Sequence, residues 1–266
     1  MTDAYPELLD AIARIAEDAG RAILEVYDSD FAVESKADDS PITAADRRAH
    51  DVIRAGLERL PGGRPILSEE ARTVPWDVRR QWKEYWLVDP LDGTKEFVQR
   101  NGQFTVNIAL VRTGRPVLGV VHVPVLGVTY GGIVGHGAWK AAAAGAQHAI
   151  HVRLPGAGPV RVVGSRSHRG PDLDGYLERL GAHEMVPMGS SLKFCIVAEG
   201  EADVYPRLGP TSEWDTAAAE AVLVAAGGRV VASNGQPMAY NKGPDLLNPW
   251  FIASGGDPRD WTEYLP

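Results

Sequence analysis

The chain carries two carboxylates three residues apart at the end of the segment Trp86-Leu87-Val88-Asp89-Pro90-Leu91-Asp92-Gly93-Thr94. The apolar start of this segment predicts a buried strand, and Pro90 predicts a turn because proline cannot continue a hydrogen-bonded ladder. Two hard carboxylates suit Mg²⁺, and the free N–H groups of Gly93 and Thr94 suit a phosphate oxygen. A solvated acidic turn built around Asp-Gly is the alternative that one short motif leaves open.

Further acidic residues occur where predicted elements begin or end. Glu69 and Glu70 follow a predicted strand, where adjacent acids are commonly a solvated edge. Thr43 precedes Asp46 by three positions, which is typical of a capping box at the start of a helix. Asp215 lies in the first turn of a predicted Ala-rich helix, where a carboxylate complements the helix dipole. As a functional residue, Asp215 would bring a carboxylate from the second half of the chain to metals bound by the first half.

The composition is that of a soluble globular protein, with 266 residues, 44% hydrophobic residues and a net charge of -8. This acidic balance argues against a nucleic-acid or anionic-membrane surface. We expect no transmembrane helix, because no apolar run of about 18 residues occurs, and no signal peptide, because the N-terminal residues lack basic and apolar regions. A cytoplasmic protein is therefore expected, with peripheral membrane association and homo-oligomerisation left open. The single cysteine, Cys195, excludes an internal disulfide and is expected to be a buried, small hydrophobic side chain.

Motifs for several other chemistries are absent from the sequence. There is no zinc-type His-x-x-x-His pair or cysteine cluster, no Gly-x-Ser-x-Gly elbow, no P-loop and no Gly-x-Gly-x-x-Gly fingerprint. The central acids have the spacing Asp-x-x-Asp rather than Asp-x-Asp, which disfavours Asp89 as a phosphorylated nucleophile. Lys193 and Arg207 are by default solvated surface charges; alternatively they bind an anionic substrate, Arg207 in a bidentate fashion.

Hydrophobic periodicity predicts two parts of different organisation. The first part has predicted helices at residues 5–28, 43–60 and 76–85, a polar loop at 34–41, and an antiparallel-looking sheet with strands at 65–67, 86–88, 104–111, 116–123 and 127–134. The strand at 104–111 alternates with period two and is predicted to be half-buried. The second part alternates between strands at 160–163, 184–187, 202–205, 229–232 and 250–253 and helices at 171–180, 190–198 (capped by Ser190) and 214–226. Small-residue and Pro/Gly stretches predict a boundary near residue 155, giving domains 1–155 and 156–266.

Three motifs occur in an order that resembles the inositol monophosphatase superfamily of Mg²⁺-dependent, Li⁺-sensitive phosphatases. They are Glu69-Glu70, then Asp89-Pro90-Leu91-Asp92-Gly93-Thr94, then Trp214-Asp215-Thr216-Ala217-Ala218 with Ala226-Gly227-Gly228. Within this superfamily the chain is most similar to the CysQ-type 3'(2'),5'-bisphosphate nucleotidases, and the resemblance covers nearly the whole chain. The segments that carry this similarity are Tyr85–Phe97, Arg100–Leu110, Gly164–His168, Gly189–Cys195 and Tyr205–Arg207.

The resemblance implies a mixed α+β or α/β protein, a five-layer αβαβα sandwich of the inositol monophosphatase and sugar phosphatase type. It implies two or three Mg²⁺ ions per site, held by Glu69, Asp89, the Leu91 carbonyl, Asp92 and Asp215. It further implies that Asp46 and Thr94 orient the attacking water and that Glu70 helps to hold a further metal. The implied substrate contacts are Gly93 and Thr94 with the phosphate, and Ser190, Ser191, Lys193, Arg207 and Asp215 with the substrate more widely. The first domain would then carry most metal ligands, and the second would complete the site and bind the nucleotide.

The first functional hypothesis is an Mg²⁺-dependent phosphatase that removes the 3'-phosphate from adenosine 3',5'-bisphosphate (PAP) and yields AMP. The sulfated nucleotide PAPS is the expected second substrate, converted to APS. Two metals about 4 Å apart can activate water, neutralise the phosphoryl oxygens and stabilise the leaving oxygen. Such an enzyme would recycle a by-product of sulfate assimilation, so the expected partner is a small nucleotide. The alternatives left open are an inositol or sugar-phosphate monophosphatase on the same site and a non-catalytic nucleotide- or metal-binding protein.

Overall fold

The computed structural model describes residues 5–29, 33–35, 41–72, 74–142, 145–154, 156, 158–164 and 170–266. For residues 33–35, 41 and 42 only the backbone is described. Parts of two sequence predictions, residues 36–40 of the polar loop and Ser165–His168 of the nucleotidase-like segments, lie outside the described residues. The described ends of the polar loop belong to two short paired strands instead.

Seven α-helices and two 3₁₀ turns occur within the described ranges. The helices are α1 (Tyr5–Tyr27), α2 (Ala44–Glu58), α3 (Trp76–Arg79), α4 (Thr94–Val98), α5 (Pro171–Leu180), α6 (Leu192–Ala198) and α7 (Ala217–Ala225), and the 3₁₀ turns are Glu213–Asp215 and Trp261–Tyr264. Among the described residues, no helix combines the length and the apolar character that crossing a membrane requires.

Strands of the described chain form one two-stranded, one seven-stranded and one five-stranded sheet. They are β1 (Val33–Ser35), β2 (Pro41–Thr43), β3 (Ile66–Ser68), β4 (Glu84–Asp92), β5 (Thr105–Arg112), β6 (Arg115–Val123), β7 (Val128–Ile133), β8 (Gly137–Ala142), β9 (His148–Ile150), β10 (Val160–Gly164), β11 (His183–Pro187), β12 (Val204–Arg207), β13 (Arg229–Ala232) and β14 (Phe251–Ser254). The seven-stranded sheet runs in sequence order from β3 to β9, with β3 parallel to β4 and all other pairs antiparallel. The five-stranded sheet has the order β11-β10-β12-β14-β13 and is mixed.

These elements stack into five layers in the order αβαβα, as predicted. The helices α1 and α2 cover one face of the seven-stranded sheet, α6 and α7 lie between the two sheets, and α5 covers the outer face of the five-stranded sheet. Apolar side chains fill three cores between these layers, and the largest core lies between the sheets. The two sheets come from residues 66–150 and 160–254. The division into domains 1–155 and 156–266 stays a prediction.

The first two helices form where local signals agree. α1 buries Ile12 and Ile23 on one face, as its helical period requires. Thr43 caps α2, because its Oγ1 accepts the Ala45 N–H at 3.1 Å while Asp46 Oδ2 accepts the Thr43 N–H at 2.8 Å. The predicted capping box is therefore confirmed.

The predicted helix at residues 76–85 is wrong beyond its first turn. α3 ends at Arg79, and β4 begins at Glu84. Tyr85 and Trp86 pack into different cores, on opposite faces of the sheet, which requires the alternation of a strand rather than the period of a helix.

Three other predicted details are corrected. β5 is buried along nearly its whole length rather than on one face, because α1 packs on one side and α7 on the other. The helix predicted at residues 190–198 begins at Leu192, and Ser190 lies outside it with a φ of 46°. The helix predicted at residues 214–226 is divided into a 3₁₀ turn and α7, with Thr216 between them. In addition, β8 and β9 are strands that the sequence did not predict.

Candidate active site

Three carboxylates from separate parts of the chain converge at one point. One oxygen each of Glu69, Asp89 and Asp215 lies within 4.8 Å of the other two. β3 and β4 are parallel neighbours, and the Glu69 N–H donates to the Val88 carbonyl at 3.2 Å, which sets Glu69 beside Asp89. Asp215 comes from the 3₁₀ turn before α7. Three of the predicted metal-binding acids are thus brought together, and the neighbouring Glu70 is not part of this cluster of described residues.

The two acids of the central motif lie on either side of a β-bulge. β4 pairs with β5 up to Asp89 and again at Asp92, which faces Thr105. Pro90 and Leu91 are the bulged residues, where the register shifts. A bulge accommodates proline, which has no N–H for the ladder, and this is why the predicted turn at Pro90 is wrong. The Leu91 N–H donates to Asp89 Oδ1 at 3.0 Å, which orients that carboxylate.

The residues after the bulge connect the central motif to α2. Gly93 has a φ of 93°, a left-handed conformation that favours glycine, and α4 begins at Thr94. Thr94 Oγ1 donates to Asp46 Oδ1 at 3.3 Å and lies 3.5 Å from the Leu91 carbonyl. Asp46 Oδ2 also accepts the Thr43 hydroxyl at 2.8 Å. Asp46, the acid of the α2 capping box, is therefore also a hydrogen-bond partner of Thr94.

Asp92 faces the start of α6, and it lies outside the three-oxygen cluster defined by the described acids. Its Oδ2 accepts the Ser191 N–H. Burial raises the pKa of Asp92 to about 6, although the nearby Lys193 ammonium opposes this rise. Lys193 is itself buried, its Nζ donates to the Ser190 carbonyl at 2.8 Å, and burial lowers its pKa to about 8. The default interpretation of Lys193 as a solvated surface charge is therefore wrong.

Burial and mutual repulsion raise the pKa values of the clustered acids. Burial, followed by the charges of Glu69 and Asp92, raises the pKa of Asp89 well above its ordinary value. Burial, followed by Asp92, raises the pKa of Asp215 to about 8, while the Ser212 N–H opposes the rise. Carboxylates that repel one another in a largely buried site suit a hard divalent cation, whose charge reverses the repulsion. The residues present therefore fit an ion such as Mg²⁺.

The turn that carries Asp215 is held by a distant loop. The Ser212 N–H donates to Asp215 Oδ2 at 2.8 Å, and Asn248 Nδ2 donates to the Ser212 carbonyl at 2.7 Å. The Glu213 N–H donates to the Leu246 carbonyl at 2.8 Å. These bonds fix the direction in which Asp215 points toward the other acids.

A cavity of about 690 Å³ opens beside the acids. Its lining includes most of the predicted substrate contacts, namely Gly93, Ser190, Ser191, Lys193, Arg207 and Asp215, together with the metal-site residue Asp92. Lys95 also lines the cavity and was not predicted. Arg207 is half-buried, and its Nη2 donates to the Pro210 carbonyl at 2.7 Å. Three basic side chains around a cavity that is bordered by acids suit an anionic substrate that binds together with cations.

The model of the Inositol monophosphatase family matches residues 5–263. This chain belongs to the inositol monophosphatase family. It is 52% identical over 249 residues to the 3'(2'),5'-bisphosphate nucleotidase CysQ of Escherichia coli (strain K12), covering 93% of this chain and 99% of that protein. It is 37% identical over 255 residues to the CysQ nucleotidase of Haemophilus influenzae, covering 96% and 95% of the two chains.

Solved structures of the inositol monophosphatase family share the fold. CysQ from Bacteroides thetaiotaomicron aligns with a TM-score of 0.82 and 43% identity, covering 94% of this chain and 98% of that one. An inositol monophosphatase from Anabaena aligns with a TM-score of 0.78 at 24% identity, covering 98% and 97%. The second likeness bears on the fold alone.

The sequence did not single out Thr105 and Asn107, two polar residues that lie beside the candidate site. Both are buried in β5, and both hydrogen-bond to Ser191 at the edge of the cavity. Two polar residues at positions i and i+2 of an apolar strand point to the same face. That spacing was visible in the sequence and could have identified them.

Proposed function

We propose that this chain is an Mg²⁺-dependent 3'(2'),5'-bisphosphate nucleotidase that removes the 3'-phosphate of PAP and yields AMP. That the chain is a phosphatase follows from its family and from 52% identity to a nucleotidase of nearly the same length. The observation that carries the substrate proposal is the cavity, where Lys193 and Arg207 stand beside Asp92 and Asp215. A second phosphate on the substrate calls for such added positive charge. PAPS is proposed as a second substrate, converted to APS.

The proposed metal ligands are the side chains of Glu69, Asp89, Asp92 and Asp215 and the Leu91 carbonyl. Mg²⁺ held there would supply a water of lowered pKa and neutralise charge on the phosphoryl oxygens. Asp89 and Asp215 have raised pKa values, and only their ionised forms bind a cation. Binding should therefore release protons from this cluster. Glu70, beside Glu69, is proposed to help to hold a further ion.

Protein side chains are proposed to orient the attacking water. An approaching water can donate to Thr94 Oγ1, because the Thr94 proton is directed to Asp46 Oδ1 at 3.3 Å. Asp46 Oδ2 is held by the N–H and the hydroxyl of Thr43, each at 2.8 Å, so its orientation is fixed before substrate arrives. The N–H groups of Gly93 and Thr94 are proposed to bind phosphate oxygens.

The rest of the nucleotide is proposed to lie in the cavity. Lys193 and Arg207 would bind its other phosphate, and Ser190 would contact it from the cavity wall. The half-buried Arg207 guanidinium offers a planar fork to a phosphate, whereas the buried Lys193 ammonium acts as a point charge.

The test is phosphate release from PAP, inositol 1-phosphate and AMP in parallel, with Mg²⁺ or EDTA and with or without millimolar Li⁺. Strong preference for PAP, lost with EDTA and reduced by Li⁺, is the expected result. Preference for inositol 1-phosphate would keep the proposed metal site and reassign Lys193 and Arg207. Release from none of the three would favour a non-catalytic binding protein and overturn the proposal.

A further inference from the structure

We propose that Ser191 is a positioning residue that fixes Asp92 for metal binding, and that Thr105 and Asn107 of β5 hold its hydroxyl for this purpose. The inference rests on the proposed function, because it concerns an acid that is proposed to hold Mg²⁺. The family resemblance implies a substrate contact for Ser191, whereas its hydroxyl lies within a closed set of hydrogen bonds inside the protein.

The three side chains form a buried cycle. Ser191 Oγ donates to Asn107 Oδ1 at 2.8 Å, Asn107 Nδ2 donates to Thr105 Oγ1 at 3.4 Å, and the Oγ atoms of Thr105 and Ser191 are 2.7 Å apart. Asn107 Oδ1 can only accept, so the single hydroxyl proton of Ser191 goes to Asn107, and Thr105 donates to Ser191. The exposed fractions of Ser191, Thr105 and Asn107 are 3%, 0% and 1%. The Ser191 hydroxyl therefore has no proton left for a substrate phosphate.

The same cycle determines where the Ser191 N–H points. Ser191 precedes α6 in the second half of the chain, and the cycle anchors its side chain to β5 in the seven-stranded sheet. Thr105 is the β5 residue that faces Asp92 after the bulge. Anchoring Ser191 there directs its N–H onto Asp92 Oδ2. Oδ2 of Asp92 then accepts this hydrogen bond, which restricts rotation of the carboxylate. The other oxygen of Asp92 is thereby oriented for a cation.

The experiment compares Ser191→Ala with Thr105→Val, because Thr105 is wholly buried and cannot touch a substrate. Mg²⁺ affinity is measured by isothermal titration calorimetry, and KM and kcat for PAP are measured at saturating Mg²⁺. Both variants should weaken Mg²⁺ binding by roughly 10- to 100-fold, the range found when partners of metal-binding groups are removed. KM for PAP should stay unchanged. The double variant should bind Mg²⁺ no more weakly than either single variant, because both changes open one cycle. Thr105→Ser keeps the hydroxyl group and should bind Mg²⁺ with wild-type affinity.

Two control variants each remove a buried hydroxyl group that lies outside the hydrogen-bonded cycle. Ser254→Ala deletes a buried hydroxyl that has no hydrogen-bond partner in the described part of the chain. Thr129→Val deletes a buried hydroxyl that is bonded to His122 at 2.9 Å and Glu17 at 3.2 Å. Both should bind Mg²⁺ like the wild type. Thermal unfolding without metal verifies that every variant is folded.

Three results would overturn the inference. A raised KM for PAP in Ser191→Ala alone, with Thr105→Val normal, would make Ser191 a substrate contact. Wild-type Mg²⁺ affinity in both variants, in a wild-type protein that binds Mg²⁺ and hydrolyses PAP, would refute this inference and leave the proposed function standing. A wild-type protein that binds no Mg²⁺ would refute the metal site of the proposed function, and the role of Ser191 with it.

Discussion

Glu220 is a buried carboxyl group in α7 whose ionisation should make the stability of the fold depend on pH. It is 6% exposed, and its Oε2 accepts the Tyr240 hydroxyl at 2.6 Å. Burial raises its pKa from 4.5 to about 8, against the opposing effects of Tyr240 and Arg115. The folded chain therefore keeps this proton over a pH range in which the unfolded chain has lost it. Its stabilising contribution is complete below pH 4.5 and is lost as the pH rises through about 8.

The size of the effect follows from the pKa values. Each pKa unit corresponds to about 1.4 kcal/mol, so a rise from 4.5 to about 8 amounts to roughly 5 kcal/mol across the window. Net stabilities of whole domains are about 5–15 kcal/mol, so this one proton matters. Glu220→Gln keeps an oxygen that can accept from Tyr240 but cannot ionise. The free energy of unfolding of the variant, relative to wild type, should therefore rise by several kcal/mol between pH 5 and pH 8.

The assay is urea unfolding, followed by circular dichroism, at one-unit steps from pH 5 to pH 9 with EDTA in every sample. Asp89 and Asp215 also have raised pKa values and give the same sign of pH dependence in both proteins. The difference between the two proteins isolates Glu220. A difference that stays constant from pH 5 to pH 9 would refute the reasoning, because Glu220 would then ionise alike in the folded and unfolded chains.

Three other substitutions test the metal site, the substrate contacts and the turn that carries Asp215. Asp92→Asn should abolish Mg²⁺-dependent phosphate release without changing the circular dichroism spectrum, and near-wild-type turnover would remove Asp92 from the proposed site. Arg207→Ala should raise KM for PAP more than KM for inositol 1-phosphate, whereas equal increases would make Arg207 structural. Lys242→Met should lower the free energy of unfolding by roughly 1–3 kcal/mol, because the fully buried Glu213 carboxylate loses a partner at 3.0 Å. An unchanged urea midpoint would contradict that last expectation.

Helices and site residues that are specified by neighbouring residues in the chain could be predicted from the sequence. α2 begins at its capping box because Thr43 and Asp46 satisfy each other's hydrogen bonds within one turn. The apolar period of α1 persists over 23 residues, so one face is clearly marked. The central acids could be singled out because Asp89 and Asp92 lie within four consecutive residues. The roles of these acids remain proposals.

Features that depend on distant contacts could not be predicted. The start of α6 differs from the prediction because Ser191 is tied to Asp92, which lies 99 positions earlier in the chain. The predicted helix at residues 214–226 is divided at Thr216, whose hydroxyl bonds with Tyr240 at 3.0 Å and Asn248 at 3.1 Å. No local window of sequence contains these partners. Hydrophobic periodicity therefore predicts most of the helices and strands, whereas tertiary hydrogen bonds determine the helix ends that position the site residues.

The four acids proposed to hold Mg²⁺ are brought together where the 3₁₀ turn before α7 packs against β4, and this connects cation binding to folding. Asp89 and Asp92 lie in β4 of the seven-stranded sheet and Glu69 directly follows β3, whereas Asp215 lies in the 3₁₀ turn before α7 in the second half of the chain. The raised pKa values of Asp89 and Asp215 show that ionising these acids opposes that packing. A cation held by all four acids would bind the folded chain far better than the unfolded one, and so would favour the packed arrangement. Repulsion among these acids opposes the packing when no cation is bound, whereas a bound cation would favour it. Removing one of these acids should therefore change both the stability of the fold and the affinity of the proposed site.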